Sequence, residues 1–127
     1  MIKFYRTDHK VLSEITEYED NMWVCMTKPT VDETKLIAED FEIDLADVRA
    51  ALDDEESSRV EVEDGYTLIL VDIPSIEMRN EREAYTTIPL GIILVKDILI
   101  TVCAEDTPVL DAFIEAKVKE FSTKKRM

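Results

Sequence analysis

The side chains with the most chemistry to offer in this sequence are carboxylates, and they are crowded. Between Asp32 and Asp64 the chain carries 14 Asp and Glu against three bases, Lys35, Arg49 and Arg59, so this segment holds −11 of a formal net charge of −14. Hard divalent cations suit such a surface. Mg2+ keeps several of its waters and is held by one or two carboxylates, whereas Ca2+ in an EF-hand demands a fixed loop spacing with a glycine at its sharp turn. The run Asp53-Asp54-Glu55-Glu56 has neither that spacing nor a following glycine. A shared Mg2+ site at a helix end or a subunit seam is the metal chemistry open to it, beside solubility and the attraction of a basic protein, which any acidic stretch can serve.

Other chemistries lack their parts. A nucleophilic triad needs a histidine base, and the single histidine, His9, lies in a polar N-terminal segment far in sequence from Cys25 and Cys103. Phosphate-cradling loops need several glycines, and Gly65 and Gly91 are the only two. No Cys/His spacing offers a zinc site. Carboxylate pairs suited to glycoside hydrolysis arise by chance in so acidic a chain, so their presence singles out nothing. Catalytic residues are therefore not assigned, and the chain is not expected to be an enzyme.

Elements must hold these carboxylates in place. Ile2, Phe4 and Arg6 alternate with Lys3 and Tyr5 as in a short edge strand, and Met22 to Thr27 is a compact apolar strand stopped by Lys28-Pro29. Thr30-x-x-Glu33 is a capping box opening a helix of about ten residues with Leu36, Ile37 and Phe41 inward. Asp44 caps a second helix in which Leu45, Val48 and Leu52 recur at i, i+3 and i+7. The acidic run at its C-terminal end opposes the helix dipole, so helix stability does not account for it. Arg59 to Glu63 alternates with period two, Asp64-Gly65 turns the chain, and Tyr66 to Ile73 is apolar on both faces like a central strand. The well-defined part of that strand ends at Pro74, and Glu77 to Glu83 is expected to form a loop or mobile hairpin tip. Tyr85 to Val95 and Ile98 to Cys103 read as strands joined by a Lys96-Asp97 turn. Thr107-Pro108 opens a last helix with an apolar stripe of Leu110, Phe113, Ile114, Val118 and Phe121.

The 127 residues amount to one domain, with 46% apolar and 35% charged residues and no linker or repeat. Net charge of −14 repels duplex nucleic acid and anionic lipid, so neither is an expected partner. The longest apolar stretch, Ile88 to Val95, resumes only after Lys96-Asp97, short of the roughly 20 residues a membrane helix needs. With no export signal and two cysteines read as small buried hydrophobes on strands, a reducing cytosol is the expected compartment.

Several strings in order resemble the cytosolic N-terminal domain of CorA-type magnesium transporters. They are Trp23 followed by Pro29-Thr30-x-x-Glu33; Leu52-Asp53 before Arg59-Val60-Glu61; Val71-Asp72-Ile73-Pro74; Tyr85-Thr86-Thr87-Ile88-Pro89-Leu90; Ile100-Thr101-Val102-Cys103; and Val109-Leu110-x-x-Phe113 before Lys124-Lys125-Arg126. The resemblance covers nearly the whole chain. It implies an α/β/α layered domain, an α+β arrangement with a mixed, largely antiparallel sheet flanked by helices, leading into a long stalk helix and two membrane helices. Since the family's Gly-Met-Asn pore signature is missing, residues 1–127 are expected to be a single soluble domain, cut near the start of the stalk.

By the same resemblance, five full-length protomers surround a pore, with the domain on the cytoplasmic side of the membrane and intracellular Mg2+ bound between domains in the closed state. The isolated domain is expected to be a monomer or weak oligomer. Members of the family place an acidic pair in the helix before the Arg/Lys-Val-Glu strand, where this chain has Arg49-Ala50, which cannot ligate a cation. The carboxylates nearest in sequence, Asp47, Asp53 and Asp54, are the candidate Mg2+ ligands. The function expected is cation sensing and gating for a CorA-like transporter; the alternative is a free-standing acidic module that binds a basic protein.

Overall fold

A computed structural model describes residues 1–8, 11–19, 21–53, 58–79 and 82–105, with the backbone alone at 7–8, 11–13, 74–79 and 82–86. Strands β1 (Ile2–Asp8), β2 (Val11–Ile15) and β3 (Met22–Thr27) come first, followed by helices α1 (Val31–Asp40) and α2 (Leu45–Val48) and a 3₁₀ turn at Ala50–Leu52. Strands β4 (Arg59–Glu63), β5 (Tyr66–Arg79), β6 (Arg82–Val95) and β7 (Ile98–Cys103) follow. They form one seven-stranded sheet in the order β2-β1-β3-β7-β6-β5-β4. β3 and β7 run parallel and every other pair antiparallel, which is the mixed, largely antiparallel sheet that the family resemblance implies.

Both faces of the sheet are apolar because most strands alternate between two sets of hydrophobic residues. Met22, Val24 and Met26 of β3, Leu68 and Leu70 of β5, Ile93 of β6 and Ile100 and Val102 of β7 pack with Ile37, Val48, Ala50 and Ala51 from the helical side. On the opposite face Trp23, Ile73, Ile88, Leu90, Leu99 and Cys103 form a second buried cluster. There the Trp23 indole N–H donates to Thr101 Oγ1 at 2.8 Å, and the ring stacks on Tyr5 with centroids 4.8 Å apart. Cys25 is half-buried and Cys103 buried, on β3 and β7. The last helix expected from Thr107 lies outside the described residues. Among the described residues no helix is long and apolar enough to cross a membrane.

Four expectations need correction. β1 is not at the edge: β2 pairs with it there, unforeseen because Val11-Leu12-Ser13-Glu14-Ile15 does not alternate. In α1 the buried residues are Thr34, Ile37 and Ala38, while Leu36 faces outward, half-exposed. The second helix is broken at Arg49 into α2 and the tighter 3₁₀ turn. Arg49 Nη1 donates to Thr34 Oγ1 at 3.0 Å, tying the break to α1, and the tight turn seats Ala50 and Ala51 against the sheet.

The fourth concerns Pro74, which does not end β5. The β5–β6 hairpin runs on through Pro74↔Thr87 to Arg79↔Arg82, so Glu77 to Glu83, read as a loop or hairpin tip, is the end of a hairpin with most of its residues in strand. Proline is tolerated in a strand where its missing N–H would face no neighbour. β4 reaches only Leu70 on the outer side of β5, and β7 reaches only Leu90 on the far side of β6. Pro74 and Pro89 therefore both lie in the two-stranded part of the hairpin, where among the described residues each strand has one open side. As its two apolar faces suggest, β5 is an interior strand, flanked by β4 and β6, with β7 at the centre of the sheet.

The capping box is present as read. Glu33 N–H donates to Thr30 Oγ1 at 3.1 Å, Thr30 N–H donates to Glu33 Oε1 at 2.9 Å, and the Met1 ammonium adds 2.9 Å to the same oxygen. The Thr30 backbone N–H and then the ammonium hold the Glu33 carboxyl below its ordinary range. A depressed carboxyl stabilises the fold above its unfolded pKa and loses that contribution as pH falls through the folded one. Thr30→Ala should cost about 1 kcal/mol in urea unfolding. Glu33→Gln should remove part of the acid-limb slope of stability against pH; an unchanged slope would show that the carboxylate is not what holds the cap.

Candidate metal centre

Cross-strand partners share a face of the sheet, and that rule divides β4 into two sides. Arg59, Glu61 and Glu63, opposite Leu70, Leu68 and Tyr66, project on the helical side. Val60 and Val62, opposite Ile69 and Thr67, project on the other. The helical side is where α2 lies. Its first turn is set by Asp44, whose side chain accepts the Ala46 N–H at 3.0 Å. Tyr66, the first residue of β5, accepts the Asp44 N–H at 3.3 Å and donates its own proton to Asp47 Oδ2. One phenol thus ties the start of β5 to the start of α2 and brings Asp47 over β4.

There one oxygen each of Asp47, Glu61 and Glu63 lie within 4.8 Å of one another. Asp47 and Glu61 are half-buried and Glu63 is exposed. Arg59 Nε donates to Glu61 Oε1 at 2.7 Å, so Glu61 already has a cationic partner. Oxygens bound directly to Mg2+ at about 2.0–2.1 Å are at most roughly 4.1 Å apart. Separations of up to 4.8 Å leave room for an ion that keeps its waters between itself and the carboxylates, or for one that draws the exposed Glu63 inward. Among the described residues the trio offers oxygen donors, and a hard cation such as Mg2+ is the ion such a set fits best.

Burial, then the Asp47 carboxylate that receives its proton, push the Tyr66 phenol from its ordinary 10.0 up to about 12. The sign follows from linkage: between those values the unfolded chain releases this proton while the folded chain keeps it, so stability falls as pH rises. Tyr66→Phe should flatten the decline in melting temperature across that alkaline window. The idea fails if the declines of wild type and variant run parallel.

Of the three candidate ligands read from sequence, Asp47 sits in this trio. Asp53 is exposed just after the 3₁₀ turn and outside it, and Asp54 lies outside the described residues. Glu61 and Glu63 were not among the candidates. The period-two alternation of Arg59-Val60-Glu61-Val62-Glu63 already placed both on one face of a strand; what it did not contain was a helix lying over that face.

Comparison with known proteins adds the family and the fold. The family model described as CorA-like Mg2+ transporter protein matches residues 18–126. No curated protein matches the chain by sequence. The complete CorA magnesium transporter of Methanocaldococcus jannaschii superposes with a TM-score of 0.68 at 19% identity, covering 99% of this chain and 38% of that one. The soluble domain of CorA from the same organism gives 0.71 at 21% identity, covering 91% and 45%. The cytoplasmic domain of ZntB from Vibrio parahaemolyticus RIMD 2210633 gives 0.64 at 15% identity, covering 92% and 50%. This chain thus spans half or less of the length of each of these structures.

Proposed function

The chain belongs to the CorA-like Mg2+ transporter family, and from that premise we propose that it is the cation-sensing, regulatory domain of a divalent-cation transporter whose pore lies in another part of the protein. The observation that carries the reading is the fold, shared with a CorA soluble domain over 91% of this chain. On this reading the chain does no covalent chemistry and acts from the cytoplasmic side of the membrane. Copies of the full protein, five by the resemblance, bring domains of net charge −14 side by side, and that repulsion favours a loosened ring. Asp47, Glu61 and Glu63 would hold Mg2+, which when bound supplies the positive charge that offsets the repulsion. The carboxylates thereby bias the ring between two arrangements by their different affinities for the ion in each.

The test uses the full-length gene product in lipid vesicles with a Mg2+-sensitive dye. The expected result is Mg2+ flux that falls as Mg2+ rises on the side of the domain, with the midpoint of inhibition moved several-fold higher by Asp47→Asn/Glu61→Gln/Glu63→Gln. Absence of flux overturns the transporter reading, and an unmoved midpoint overturns the sensing role of these carboxylates.

A further inference from the structure

The sheet ends at β4, and that end is open among the described residues. β4 has β5 on one side and no strand on the other. Alternation of hydrogen-bonded pairs along an antiparallel ladder turns the N–H and C=O of every second β4 residue away from β5. Exposed edges of this kind are templates for another strand. Two features make this edge unlike a guarded one. Val60 and Val62 are 65% and 81% exposed, the two most exposed large hydrophobics of the described residues. Both lie on the face of Ile69 and Val71, so they continue the second apolar cluster out to the rim. The opposite face of the same five residues carries Glu61 and Glu63 with Asp47 above them.

We propose that β4 is a docking edge for an extended basic segment of a partner protein, added as an eighth strand, with apolar and basic residues at alternate positions. Main-chain bonds supply the pairing, and the two faces supply the selection. Alternate apolar side chains of the incoming strand cover Val60 and Val62, and the lysines or arginines between them fall beside Glu61, Glu63 and Asp47. A second copy of this chain suits the edge less well, because it brings another −14 to a segment that already holds −11. The inference needs no ion: it uses the edge and its valines, and the basic residues of the incoming strand would compete with Mg2+ for Asp47, Glu61 and Glu63.

The probe is a fluorescein-labelled peptide, Lys-Val-Lys-Val-Lys-Val, titrated with the 127-residue chain by fluorescence anisotropy, beside Lys-Lys-Lys-Val-Val-Val of equal charge. The alternating peptide should bind at least tenfold more tightly, and both should weaken with salt. Val62→Pro, which blocks the edge, and Val60→Thr/Val62→Thr, which keeps the backbone and removes the apolar surface, should each erase the difference at unchanged circular dichroism. Equal affinities for the two peptides overturn the proposal, because charge alone then explains binding. A doubled mass of the free chain that Val62→Pro abolishes also overturns it, by giving the edge to a second copy. Should a variant fail to fold, the two-peptide comparison on the wild-type chain decides.

Discussion

Gly91→Val should lower the melting temperature of this domain by roughly 10 °C, the result expected when overpacking removes about 2–3 kcal/mol from a chain of this size. Gly91 lies in β6 between Leu70 of β5 and Val102 of β7. A Cβ at this position would stand 3.1 Å from Ala51 Cβ and 3.7 Å from both Leu70 Cδ2 and Val102 Cβ. Ala51, 1% exposed, sits in the 3₁₀ turn that presses on the sheet. The glycine is there for space rather than for backbone freedom, since its φ is not in the left-handed region. A single methyl needs a shift of a few tenths of an ångström, and alanine regains about 0.5–1 kcal/mol that glycine costs in a strand interior. Gly91→Ala should therefore be close to neutral, and the two further methyl groups of valine should not be accommodated. The 3₁₀ turn follows directly on α2, so lifting it also displaces Asp47 from Glu61 and Glu63. Melting of Gly91→Val at or above the wild-type temperature would remove the argument, and Ala51→Gly should rescue part of the loss if the contact with Ala51 is its cause.

The second large effect is that of Mg2+ on the isolated chain. An ion that binds only the folded state at ten times its dissociation constant adds about 1.4 kcal/mol, or roughly 6 °C in melting temperature. The carboxylates expected to provide this are Asp47, Glu61 and Glu63, and the control is NaCl at matched ionic strength, since screening alone relieves repulsion in a chain of net charge −14. Glu63→Gln is the informative variant. Glu63 is the exposed member of the trio, so its loss should leave packing untouched, raise stability slightly without Mg2+, and remove most of the increment with it. Glu61→Gln is less clean, because it also breaks the 2.7 Å bond from Arg59. Equal shifts from MgCl2 and ionic-strength-matched NaCl would mean that the trio holds no ion. Such a result would leave family membership intact and would remove these residues from the gating scheme.

How much of this was legible in the sequence depends on the range of the interaction. The capping box at Thr30 and Glu33 and the Asp44 cap act within two or three residues, and both are found as read. The two faces of β4 follow from period two, and the turn at Gly65, with φ of +94°, follows from the one residue type that adopts it freely. The family strings pointed to the fold, and the mixed, largely antiparallel sheet agrees. β2 was missed because its five residues do not alternate, and a strand paired only through the β1 hairpin leaves little other trace.

The sequence by itself determined the acidic character of residues 32–64, the alternation that aligns Glu61 with Glu63, and the helix starts that place Asp47 in a first turn. Each is a property of neighbours along the chain, where geometry leaves few choices. Only the tertiary structure decided that Tyr66 draws Asp47 over β4, that β3 pairs with β7 in parallel as in Val24↔Ile100, 76 positions apart, that Gly91 makes room for Ala51, and that Pro74 continues a strand. These depend on which surfaces meet and where neighbouring strands stop. β4 begins opposite Leu70, so a proline four residues further along β5 meets no described neighbour on that side, and no described strand lies beyond β4, so two valines stand at its edge.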